Sequence, residues 1–175
     1  MRNLLKLRWV LILLPVVIMT GCSFSNIEPG EMVADPKIVK HHPGSVQVRV
    51  SGGAGKDDSL KITDDGLKQA VVNAINKSKL FERVAANGAK YRLDVILADV
   101  QQPAAGFAMT VGITINWIVT RVSDNKAIWR ESIFAARRLT PADELGGVAR
   151  LRRATGEAAA RNIDKAFAKI SKLDL

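Results

Sequence analysis

From Phe107 to Val119 every second residue is large and apolar: Phe107, Met109, Val111, Ile113, Ile115, Trp117 and Val119. Ala108, Thr110, Gly112, Thr114, Asn116 and Thr120 fill most of the other positions. A period of two is the period of a β-strand, so this run predicts a strand with one face on a core and the other lined mainly by threonine. Asp124-Asn125 follows, two residues that tolerate positive φ in a tight turn, and Ala127 to Arg137 is expected to return as the antiparallel partner. If Val122 sits opposite Ala127, Trp117 faces Ser132, Ile115 faces Phe134 and Ile113 faces Ala136 on the core side. The same register puts Thr120 opposite Trp129, Ile118 opposite Glu131 and Asn116 opposite Ile133 on the outer side. Ile118, Trp129 and Ile133 then form an apolar island on a polar face, either covered by this chain or offered to a partner.

The other elements follow from similar patterns. Val46, Val48 and Val50 alternate with Gln47 and Arg49 over Ser45–Ser51, a short half-buried strand. Thr63, ahead of Asp64 and Asp65, starts a helix: its hydroxyl can cap free amides, and the carboxylates suit the positive end of the helix dipole. Leu67, Val71, Ala74 and Ile75 share one face, and the helix is expected to end near Lys79. Leu80 to Val84 returns apolar side chains to the core, and Asn87-Gly88 turns the chain. Tyr91, Leu93, Val95 and Leu97 mark a further strand. Thr140-Pro141-Ala142-Asp143 has the composition of a second helix start, after which Leu145, Val148, Ala149, Gly156, Ala159, Ile163, Ala166 and Ile170 recur at helical spacing. The order β-α-β-β-β-α predicts an α+β two-layer sandwich, a four-stranded antiparallel sheet carrying both helices on one face.

The amino terminus belongs to a different regime. Arg2, Lys6 and Arg8 precede the apolar run Trp9–Met19, which is interrupted by Pro15 and is well short of the ~20 residues a membrane-spanning helix needs. This is the layout of a secretory signal peptide. Its end, Met19-Thr20-Gly21-Cys22, resembles the lipobox of bacterial lipoproteins. The resemblance implies cleavage before Cys22, an S-diacylglycerol and an N-acyl group on that residue (palmitate among the acyl chains), and a membrane anchor. Several acyl chains hold a protein stably where one does so only reversibly. Ser23, where Asp would retain a lipoprotein at the inner membrane, implies the periplasmic face of the outer membrane. The expected divisions are a signal peptide over 1–21, a lipidated tether over 22–44 containing Pro29, Pro36 and Pro43, and one domain over 45–175.

Composition narrows the chemistry. The chain holds 26 Lys and Arg against 17 Asp and Glu; three of the basic residues precede Cys22, which leaves +6 from there on. Cys22 is the only cysteine, so its acylation removes any thiol for a disulfide, a metal or nucleophilic catalysis. The two histidines, His41 and His42, stand in the expected tether without neighbouring ligands, so no metal and no other cofactor is expected. Gly52-Gly53-Ala54-Gly55-Lys56 is not a phosphate-binding loop, because Val50 stands where the first glycine belongs and Asp57 follows the lysine; it reads as a glycine loop. Serine hydrolysis lacks an oriented histidine, and Asp94, Asp99 and Glu131 are spread along strands, so no enzyme is expected. Arg137, Arg138, Arg150, Arg152, Arg153 and Arg161 form a basic end, either a solvated face or a contact for an anionic lipid or cell-wall polymer. An exported chain with no recognition motif has no use for nucleic acid.

Tyr91-Arg92-Leu93-Asp94, Gly106-Phe107-Ala108-Met109-Thr110-Val111, Arg150-Leu151-Arg152 and Ala159-Ala160-Arg161-Asn162-Ile163 together resemble a family of uncharacterised proteobacterial lipoproteins. At the level of fold alone, the layout is similar to small accessory lipoproteins: penicillin-binding-protein activators, the lipopolysaccharide-assembly lipoprotein and transport auxiliary components. That resemblance implies docking to a larger machine. Two functions remain. One is an anchored module that binds an envelope protein through Ile118, Trp129 and Ile133 or through Arg137, Arg138, Arg150, Arg152 and Arg153. The other is a binder or carrier of a lipid or other anionic envelope molecule, held between helices and sheet.

Overall fold

The computed structural model describes residues 26–53 and 60–175. The signal peptide, Cys22, Ser23 and most of the glycine loop lie outside the described residues.

Among the described residues, five strands and two α-helices form the fold: β1 (His42–Ser51), α1 (Asp64–Ser78), β2 (Phe81–Val84), β3 (Tyr91–Gln101), β4 (Met109–Arg121), β5 (Lys126–Leu139) and α2 (Gly147–Ile170). The sheet order is β2-β1-β3-β4-β5, with β1 parallel to both β2 and β3, and β3, β4 and β5 antiparallel. The expected four-stranded antiparallel sheet is therefore a mixed sheet of five. Phe81–Val84 supplies the extra strand. It is too short to show a period, and only its pairing with β1, reached through the α1 crossover, makes it a strand. The two-layer α+β arrangement stands: α2 packs on β4 and β5, α1 packs on β1 and β2, and both feed one core.

Local chemistry sets the helix ends. Thr63 Oγ1 accepts the Gly66 N–H at 3.0 Å, and Lys79 at φ 56° closes α1, as its pattern predicts. The start of α2 is different. The Asp143 carboxylate accepts both the N–H and the hydroxyl of Thr140 at 2.8 Å, so Thr140–Asp143 closes on itself as a turn. Gly146-Gly147 then delays the helix to Gly147, which leaves Leu145 and Val148 outside the buried face.

The hairpin register also departs from expectation. Ile128 is an extra residue in β5, because Val119 pairs with Trp129 but Thr120 pairs with Ala127. Beyond that bulge Trp117 faces Glu131, Ile115 faces Ile133 and Ile113 faces Ala135. A one-residue slip exchanges the faces of a strand. Ile133 and Ala135 accordingly enter the core, and Phe134 moves to the open face, where its ring lies over Gly112.

The segment expected to be a tether is, over residues 26–41, part of the fold. Ile27 donates its N–H to Lys61 O at 2.8 Å, and Pro29–Glu31 forms a 3-10 turn that touches both helices. Asp35 N–H reaches the Asp164 carboxylate (2.8 Å) and Val39 N–H the Ser171 hydroxyl (3.2 Å), so the strap runs the length of α2. Ile27, Met32 and Ala34 are buried between the helices. Gly156 lets α2 approach: a Cβ there would collide with the Glu31 carbonyl.

Candidate functional site

Three parts of this fold bear on partner binding: the uncovered face of the sheet, the end where β1 and β3 finish, and the edge strand β5. Each carries residues singled out by the sequence.

On the sheet, Ile118 alone of the expected island faces outward, half-buried between its cross-strand partners Asp94 and Arg130. Trp129 shares the helix side with Val119 and is half-buried against the core, and Ile133 lies within the core. The outer face instead combines Ile96, Ile118 and Phe134 with Thr110, Thr114, Asn116, Ser132 and an Arg92–Asp94 ion pair of 2.9 Å.

The arginines are not a free basic patch. Arg152 grips the Glu31 carboxylate through two bonds of 2.6 Å, tying the strap to α2. Arg153 (2.8 Å) and Arg137 (2.5 Å) converge on Glu157. Arg150 is only 5% exposed and donates to the carbonyls of Glu144 (2.7 Å) and Leu145 (3.2 Å). Arg153 also donates to Asp143 O at 2.9 Å. Thr140 in turn holds the Asp143 carboxyl below its usual range, chiefly through its N–H and then its hydroxyl. Together these bonds clamp the 140–146 loop. Arg138 is exposed on the outer face beside Thr110, and Arg161 reaches toward Ala136 O at 3.4 Å.

The edge strand is guarded. Lys165 donates to Phe134 O at 3.0 Å, which together with Arg161 occupies β5 carbonyls that would otherwise accept an added strand. Lys169 pairs with Glu131 across the same seam. Behind it sits a polar contact absent from the sequence reading: Asn162, fully buried, accepts the Trp117 indole N–H at 2.9 Å and donates to Ile113 O (3.0 Å) and Ile133 O (2.7 Å). A tryptophan on the core side of a long strand requires a partner for its N–H, and that requirement is the signal that points to Asn162.

The histidines belong to the fold and not to a tether. A ring nitrogen of His41 donates to Lys79 O (2.7 Å) and one of His42 to Ile170 O (2.9 Å), so adjacent residues satisfy carbonyls at the C-terminal ends of both helices. Burial pushes the His42 imidazole below its ordinary pKa, partly offset by that bond. Asp164, half-buried, is pushed up by burial against the lowering effect of the Asp35 N–H. Among the described residues no three His, Cys, Asp or Glu side chains gather as a metal site, and no helix is long and apolar enough to cross a membrane. Two open hollows lie on the surface. One of about 420 Å³ lies between Gly44, Glu82, Arg83, Lys90 and Ser123, and one of about 280 Å³ between Ala135, Arg161 and Lys165.

No protein-family model matches the chain, and no curated protein matches it by sequence. Its fold is similar to that of a DUF330 protein from Xanthomonas campestris, with a TM-score of 0.61 and 14% identity over 80% of this chain and 90% of that one. It is also similar to a hypothetical protein from Chlamydia trachomatis, with a TM-score of 0.52 and 9% identity over 74% and 94% of the two chains. A minor lipoprotein from Acinetobacter baumannii aligns with a TM-score of 0.43 and 14% identity over 73% and 87%. At these identities the likeness in the first two is one of fold: an α+β domain with a mixed sheet and two helices.

Proposed function

We propose that this chain is a bacterial envelope lipoprotein, held by acyl chains on Cys22 at the periplasmic face of the outer membrane, and that it is a non-enzymatic accessory module docking to an envelope protein. The observation that carries the reading is Met19-Thr20-Gly21-Cys22 behind a basic start and a short apolar run, with Asn26, four positions later, bridged to Lys61 of the fold. The non-enzymatic part is supported by where the reactive side chains are engaged: both histidines cap helix ends, and Glu31 and Glu157 are in ion pairs with arginines.

Docking is favoured over carriage of a lipid because the space between helices and sheet, where a carried molecule would sit, is filled by one buried cluster that includes Ile27, Met32 and Ala34 of the strap. The docking surface is the open sheet face around Ile118 and Phe134, since Trp129 and Ile133 are engaged on the other side. A photoreactive residue placed at 118 or 134 in intact cells tests it. The expected result is an adduct with one envelope protein that is absent when the probe sits at Ser123. Adducts with lipid alone, or none above the Ser123 control, would overturn the docking reading.

A further inference from the structure

β1, β3 and β5 end, and β4 begins, at the same end of the sheet. α1 and α2 start there too, since His42 at the opposite end meets the last residue of α2. The first described residues of the strap, Asn26 and Ile27, lie at this end as well. Ile27 pairs with Lys61, and the neighbouring Leu60 carbonyl accepts a 3.0 Å bond from Gln102, just past β3. Three residues, hence four Cα–Cα steps, separate Cys22 from Asn26, so covalent geometry alone limits that gap to about 14 Å.

Among the described residues, this end carries the three most exposed large apolar residues outside the strap: Leu145 at 87%, Phe107 at 79% and Val148 at 68%. Phe107 precedes β4, and Leu145 and Val148 bracket the start of α2. Met109 pairs with Leu139, which brings the two connections side by side. Leu145 is not on a slack loop, because the Asp143, Glu144 and Leu145 carbonyls all accept from Arg150 or Arg153. The clamp holds the leucine outward. The exposed valines Val33 and Val39 lie on the strap, and single apolar residues of that kind are ordinary on a protein surface.

We propose that Phe107, Leu145 and Val148 form a contact face for a lipid bilayer, inserting into its interfacial layer next to the acylated Cys22. The inference rests on the lipoprotein reading, which fixes this end within reach of the membrane. Apolar side chains at headgroup depth gain burial there as an amphipathic helix does. The contact is chiefly apolar: Arg152 is held by Glu31, Arg153 and Arg137 by Glu157, and the remaining Arg138 and Arg150 stand against Asp143 and Glu144 at the same end. Three anchoring points, the lipid and two loops, hold the sheet upright and direct the Ser123 turn away from the membrane.

The acylated protein has no free thiol, so Phe107→Cys, Leu145→Cys and Ser123→Cys each accept one polarity-sensitive fluorophore. The labelled, full mature proteins are reconstituted into vesicles of phosphatidylethanolamine and phosphatidylglycerol, with and without brominated acyl chains. The expected result is blue-shifted emission and several-fold quenching by brominated lipid at 107 and 145, neither at 123, and no dependence on the phosphatidylglycerol fraction. Intact mass of the same samples reads acylation separately. Acylated protein whose 107 and 145 probes report water overturns the bilayer contact alone, whereas protein without acyl groups overturns the anchored reading beneath it.

Discussion

Replacing Asn162 by alanine tests what joins α2 to the sheet. The amide is buried, and each of its polar atoms is engaged: Oδ1 by Trp117 Nε1 at 2.9 Å, Nδ2 by Ile113 O at 3.0 Å and Ile133 O at 2.7 Å. Alanine strands the indole N–H in a dry site and deletes two bonds to backbone carbonyls, a loss of about 2–4 kcal/mol. At a urea slope of ~2 kcal/mol/M, that lowers the unfolding midpoint by about 1–2 M, read by far-UV circular dichroism. Trp117→Phe keeps the aromatic packing and its edge contact with Phe167, ring centroids 6.2 Å apart, but removes the donor. Both variants break the same bond, so the double variant costs less than the two separately, by about 1 kcal/mol. A change below ~0.5 kcal/mol for Asn162→Ala, the range of an unremarkable surface substitution, would refute the claim that this amide holds the two layers together.

Other positions give independent tests. Gly156→Ala places a Cβ against the Glu31 carbonyl and is expected to cost about 1–3 kcal/mol and open residues 26–41 to limited proteolysis. Gly147→Ala, with nothing within 4 Å, is expected to be neutral or stabilising by up to about 1 kcal/mol. Arg150→Met leaves the Glu144 and Leu145 carbonyls without their donor, and is expected to cost about 1–3 kcal/mol with new proteolytic cleavage in 140–146, read by mass spectrometry. Burial depresses the His42 pKa in the fold, so the unfolded chain binds the extra proton first. Its contribution is complete above the unfolded value near ~6.5 and is lost as pH falls through the depressed one. Urea midpoints measured from pH 7 downward should fall for the parent and fall less for His42→Gln.

How much of this was legible in the chain depends on the distance over which each signal acts. The Phe107–Val119 alternation, the Thr63 cap and the Asp124-Asn125 turn are local, and from Met109 on they appear as the sequence predicts. Phe107 itself is not the start of the strand but an exposed residue ahead of it. The Ile128 bulge has no local signature, yet it moved Ile133 inward and Phe134 outward and dissolved the expected island. Thr140–Asp143 has sound capping chemistry, but that chemistry also closes a free turn, and two glycines downstream decide between the outcomes. The strap defeats pattern reading because an extended segment between two helices has no period of its own. The arginine cluster reads as a patch because its partners are remote in sequence: Glu31 stands 121 residues before Arg152. Cys22 can be read only from sequence, and the surfaces at the end of the sheet near Asn26 only from the fold.

The central claim is the anchor, and labelling with an alkyne analogue of palmitate in living cells addresses it most directly. The account predicts that the parent protein takes up label and sediments with membranes, and that Cys22→Ser takes up none and stays unprocessed. A Cys22→Ser protein that is processed, labelled and sedimented as the parent is would contradict it.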